Sequence, residues 1–145
     1  MARGFTEVGV FAVKEMPQVA ICLLAKPAEA VCAAVYEHPK VGTWVELFSR
    51  YQDGTGITYS TMPDRGLEPR PGHPAIHAPG TSAEALYDRI MRERPQQPLA
   101  VITPEKLPHY FELAYAEGMA WRKNKGLTAE EVIRVAKTRK PDADE

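Results

Sequence analysis

The sequence predicts an α+β fold: an antiparallel β-meander of about four to five strands in the N-terminal half, and three helices in the C-terminal half packed on one face of the sheet. Three observations carry this. Runs rich in aromatic and β-branched residues fill the chain up to Met62. Helix-start signals and 3.6-residue apolar spacing appear from Thr81 onward. Between them, residues 63–80 (PDRGLEPRPGHPAIHAPG) form a proline- and glycine-rich crossing. Strands followed by helices oppose the alternation that a doubly wound nucleotide-binding fold requires.

Taken in order, residues 5–13 alternate weakly through Val8, Val10 and Ala12 and read as a first strand, broken at Glu15-Met16-Pro17. Residues 19–25 (VAICLLA) are apolar on both faces, the pattern of a covered central strand. Residues 28–36 (AEAVCAAVY) carry two signals. Pro27 followed by Ala-Glu-Ala resembles a helix start, yet the run is short and lies between strands. It is read as a strand, with helix the competing reading. The small side chains Ala30, Cys32 and Ala34 would let a helix come close on that face. Cys22 and Cys32 face each other in only one register of a hairpin here, and a slip of one residue puts them on opposite faces. Two buried free thiols are the expectation.

The clearest strand signal is the pair 44–52 and 57–62, joined by Asp53-Gly54-Thr55-Gly56. Asp-Gly between two such runs marks a hairpin, with a type I turn over Gln52-Asp53 and Gly54 at positive φ. Asp53 is therefore read as a turn residue. Alternation puts Val45, Leu47, Ser49 and Tyr51 on one face, read as the core face. Trp44, Glu46, Phe48, Arg50 and Gln52 lie on the other, which is half polar. Within the crossing, residues 73–77 read as a short edge strand, where proline is tolerated.

The helices follow. Thr81 with Glu84 three residues on reads as a capping box for a helix over 82–94, with Leu86 and Ile90 buried. Residues 99–102 read as a short strand. A second helix covers 108–125, with Pro108 in its first turn and Leu107, Phe111, Ala114, Gly118 and Trp121 along one face. A third covers 129–139, capped by Thr128 and Glu131 and fixed by a Leu127–Val132 staple. An acidic tail, 141–145, ends the chain.

At 145 residues the chain is expected to be a single domain able to bury a core. A net charge of −1 gives no general pull toward nucleic acid or anionic membrane. The basic residues Arg122, Lys123, Lys125, Arg134, Lys137, Arg139 and Lys140 sit at helix C-termini, where cations are expected in any case. Met1–Val13 has no basic segment leading into an unbroken apolar one, and no run approaches the ~20 residues of a membrane span. The expected location is the cytoplasm. Two cysteines do not make a disulfide framework.

Residues Tyr36-Glu37-His38-Pro39, Gly42, Trp44, Leu47, Tyr51, Asp53-Gly54 and Thr58 form an arrangement that resembles an uncharacterised bacterial α+β domain family. Further on, Pro79-Gly80, Leu86, Glu93-Arg94-Pro95, Thr103-Pro104-Glu105, Phe111-Glu112, Trp121-Arg122, Gly126 and Thr128 carry the same resemblance, so that it spans nearly the whole chain. The resemblance implies architecture only. It brings no activity, cofactor or catalytic residue. Some similar proteins carry a hydrophobic N-terminal segment that this sequence lacks, so membrane tethering is not implied.

His73 and His77 lie four apart and share a face if the segment is extended, with His38 and His109 elsewhere. Zinc needs three or four converging ligands, and there is neither a Cys-x-x-Cys nor a His-Glu-x-x-His. No metal or cofactor is expected. There is no Gly-x-Ser-x-Gly elbow, and cysteines in apolar strands are held neutral. A Cys32 dyad with His38 or His109 would need an arrangement that spacing does not show. Asp53-Gly54-Thr55-Gly56 has no helix behind it to cradle phosphate. No catalytic residue is assigned. The first expectation is a non-catalytic module acting through a protein partner or a second copy of itself. The alternative is a small-ligand-binding protein or enzyme with its site at the 63–80 loop and the aromatic helix. Its candidate residues are Arg65, Arg70, His73, His77, Tyr110, Tyr115 and Trp121. A hollow where histidines and carboxylates converge would favour this alternative over a closed, dry interface.

Overall fold

A computed structural model describes residues 4–13, 16–64 and 70–124. Seven strands form one sheet: β1 (Thr6–Val13), β2 (Met16–Lys26), β3 (Val31–His38), β4 (Gly42–Tyr51), β5 (Gly56–Ser60), β6 (Ala75–His77) and β7 (Leu99–Ala100). The first five run as an antiparallel meander in sequence order. β6 adds to β5 in parallel, and β7 pairs with β4 at Arg50 and Tyr51. Two helices are described, α1 (Ala83–Glu93) and α2 (Leu107–Asn124).

This corrects the predicted architecture. The sheet has seven strands rather than four or five, and its last addition on the β5 side is parallel. The two helices do not share a face. Leu107 and Phe111 of α2 pack with Ile21, Leu23, Cys32, Ala34 and Trp44. Leu86, Tyr87 and Ile90 of α1 pack with Leu24, Val31, Ala33, Leu47 and Tyr59. These two sets alternate along every central strand, so both sides of the sheet are covered, one by each helix. The physical reason is visible in β2 and β3, which are apolar on both sides and need two covers. The third predicted helix, 129–139, and the tail lie outside the described residues. No helix among the described residues is long and apolar enough to cross a membrane.

The ambiguous stretch at 28–36 contains both structures it signalled. Pro27–Glu29 makes one 3-10 turn, Ala30 takes a left-handed conformation at φ 53, and β3 then runs from Val31. Ala33 and Ala34 are fully buried, and Cys32 and Ala34 lie under α2, where small side chains admit the helix. Cys22 pairs with Val35 and Cys32 with Ala25, so the two thiols lie on opposite faces and both are free.

The β4–β5 hairpin closes as its sequence requires. Gly54 N–H donates to Tyr51 O at 3.0 Å, with Gly54 at φ 93. Asp53 Oδ1 accepts from Thr55 N–H at 2.9 Å and from its hydroxyl at 2.6 Å. At α1 the cap is one residue later than predicted. Ser82 Oγ accepts from Ala85 N–H at 3.1 Å, while Thr81 N–H turns back to Ala78 O. Three residues beyond Ser82 stands Ala85, so Glu84 closes no capping box and instead faces the helix dipole from the first turn.

Candidate functional site

The half-polar face of β4 becomes the wall of a cleft of about 490 Å³ between the sheet and α2. Its layout follows from strand register. Residues paired across antiparallel strands, and their parallel neighbours, point the same way. Glu46 pairs with Ser60 and Ser60 with His77, giving one row across β4, β5 and β6. Phe48, Thr58 and Ala75 make a second row, and Arg50 and Gly56 begin a third. His73, just before β6, reaches the Gly56 end. Arg50 and Glu46 are four residues apart on one strand, roughly 13 Å. β5 contributes only Gly56, Thr58 and Ser60 to this face, and these small residues leave the floor open. A Cβ on Gly56 would stand 3.0 Å from Ser49 O, so a larger residue there would crowd the strand pair.

The roof is α2 from Tyr110 onward. Leu107 and Phe111 anchor its start in the core, and Tyr110, Ala114, Tyr115, Gly118, Met119 and Arg122 face the cleft. At Gly118 a Cβ would meet no atom within 4 Å.

The two ends differ in charge. At the first, the Tyr36 hydroxyl donates to Glu46 Oε1 at 2.7 Å, with Tyr36 stacked on Trp44 at 5.0 Å. Burial holds the Glu46 carboxyl above its ordinary range, against the opposing pull of the Tyr36 hydroxyl, His77 and Arg122. His77 Nδ1 lies 2.9 Å from Met62 O, which fixes Nδ1 as the protonated nitrogen. Asp64, two residues beyond Met62, also lines the cleft. At the second end, Arg50 lies over the Tyr110 ring at 4.8 Å, and Tyr110 stacks on Phe48 at 6.3 Å. Arg70 donates to His73 Nε2 at 2.8 Å and stands 3.5 Å from Glu117. Burial and the Arg70 and Arg50 charges push the His73 imidazole below its usual value, so it is neutral and accepts from Arg70.

Of the residues predicted from sequence, Arg70, His73, His77, Tyr110 and Tyr115 all line this one cleft. Trp121 does not; it is half-buried on the flank of α2, with Arg122 over its ring at 5.9 Å. Arg65 lies outside the described residues. Tyr36, Glu46, Arg50 and Arg122 were not anticipated as site residues. Their signal was present in the spacing Glu46-x-Phe48-x-Arg50, a carboxylate, an aromatic ring and a guanidinium on one strand face. Among the described residues no three His, Cys, Asp or Glu side chains converge as metal ligands do.

Two serines and one cysteine near the cleft take part in structural contacts. Ser49 is buried, donates to Ala30 O at 2.8 Å and accepts from Arg94 at 2.9 Å. Ser60 Oγ accepts from Met62 N–H at 3.0 Å. Cys32 lies in the core with its pKa pushed up to about 12 by burial, so its thiol is inert. His38 shares its face but is six residues along β3, roughly 20 Å away. Its Nδ1 accepts from Lys40 and Val41 N–H to close the β3–β4 turn. Compared with models of known families, with characterised proteins and with solved structures, the chain matches none.

Proposed function

We propose that the protein binds a small molecule in the cleft between its sheet and α2. A module built only for protein contacts needs no hollow at that interface, whereas a ligand-binding protein does. The observation that carries the reading is the cleft itself: about 490 Å³, floored by small β5 side chains and rimmed by polar groups from three strands and a helix. Its volume falls in the range of small-molecule sites. Binding is favoured over nucleophilic catalysis because Ser49, Ser60 and Cys32 are already committed to structure.

The test fills the hollow from both sides. Thr58→Phe places a ring on the floor, where an aromatic residue suits a strand. Gly118→Leu places a side chain under the roof, in space that holds no atom within 4 Å of the new Cβ. A metabolite panel screened by thermal shift is expected to yield compounds that stabilise the wild type. Both variants, folded by circular dichroism, should lose at least about tenfold in affinity for them. Undiminished binding in both variants would place the ligand elsewhere and end this reading.

A further inference from the structure

We infer that the ligand is an amphipathic organic anion with a flat apolar body, its charged head at the Arg50–Arg70–His73 end of the cleft. This rests on the cleft being a ligand site and adds the ligand's class and direction. Three features carry it. The first is charge asymmetry. At the Glu46 end the Arg122 cation faces the Glu46 carboxyl. At the other end, among the described residues, the Arg50 and Arg70 guanidinium groups face one carboxylate, Glu117, whose side chain is 58% exposed. A cleft with low-dielectric walls focuses such an excess.

The second feature is that Arg50 is held in place by a ring and by no acid. It lies over the Tyr110 ring at 4.8 Å, and no carboxylate among the described residues pairs with it. A guanidinium offers five N–H donors in a planar fork that matches a carboxylate, sulfonate or phosphate. His73 accepts from Arg70, which turns the second fork toward the same end. The third feature is the space between the ends. Phe48 and Tyr110 bound it near Arg50, and Trp44, Phe111 and Met119 continue it toward Glu46. The span of roughly 13 Å between the end rows suits two rings and a head group.

The test uses two dyes that share an aromatic body and differ in the anion: 1-anilinonaphthalene-8-sulfonate and neutral N-phenyl-1-naphthylamine. Fluorescence titration is expected to show tighter binding of the sulfonate. Arg50→Gln and Arg70→Gln should each weaken it by at least about tenfold, as losing a charge-assisted bond does. The neutral dye should change by less than about twofold in both. Glu117→Gln, which removes the competing carboxylate, should tighten the sulfonate alone, and Lys40→Gln in the distant β3–β4 turn should alter neither dye. Equal affinity for both dyes, or loss of both in the arginine variants, overturns the anion inference while the cleft stands. If Thr58→Phe and Gly118→Leu leave both dyes bound as tightly as in the wild type, the cleft reading falls as well. Binding of neither dye also overturns both.

Discussion

Glu46 shows how a residue that lines the cleft can be costly to the fold. Its carboxyl accepts from Tyr36 and is shielded by Trp44 and α2, so its charged form is disfavoured. A carboxyl whose folded pKa is raised binds protons more tightly in the native state. Its share of stability is therefore full below the ordinary carboxylate range and is lost as pH rises through the raised value. Glu46→Gln keeps the acceptor for Tyr36 and removes the titration. It is expected to raise the melting temperature at pH 8 by about 3 °C, equivalent to about 1 kcal/mol in a chain of this size. At pH 4 the gain should vanish, and a thermal denaturation series across that range checks it. A gain that did not depend on pH would mean that packing, not charge, sets the cost. The sequence carried only the strand-face pattern Glu46-x-Phe48-x-Arg50. What covers Glu46 is a helix more than sixty residues away in the chain, which that pattern does not show. Asp53 is the opposite case. Its partners lie two residues away in Thr55, so its role as a turn residue was legible at once.

At the scale of elements, local signals placed most strands and both described helices within a few residues, because hairpin and helix chemistry is local. For the two shortest strands, both signalled in the sequence, tertiary context set the partner and the direction. β7 is two residues long and exists because β3 begins only at Val31, which leaves Arg50 and Tyr51 of β4 without a partner on that side. β6 pairs in parallel because the proline-rich crossing returns alongside β5, with Thr58 N–H donating to Pro74 O. The start of α1 was misplaced by one residue because Thr81 and Ser82 are both good caps and only the backbone decides between them. Ser82 takes the extended conformation, φ −72 and ψ 160, and receives the Ala85 N–H. Ser82→Ala is expected to cost about 1 kcal/mol in urea denaturation. Thr81→Ala should change stability by less than about 0.5 kcal/mol. The reverse order would show that Thr81 caps the helix in solution.

Across the whole molecule, the sheet divides into a rigid centre and looser margins, and the cleft lies toward a margin. β3 is enclosed by β2 and β4, and four successive residues, Val31, Cys32, Ala33 and Ala34, are buried, so both faces are sealed. β1 forms one edge, with Val10 65% exposed and two irregularities of register against β2. These features also blunt that edge against pairing with another chain. β6, three residues long, forms the other edge and carries the His77 end of the cleft. Opening a sheet costs least where few apolar contacts are lost. The amides of β3 and their partners on β2 and β4 are therefore expected to exchange with deuterium only through global unfolding. Those of β1 and β6 should exchange at least about tenfold faster. A ligand in the cleft would bridge α2 to β5 and β6, so bound anion should slow exchange in β6 and in α2 from Tyr110 onward while leaving β1 unchanged. Uniform slowing across the sheet would instead indicate general stabilisation by mass action, with no preferred margin.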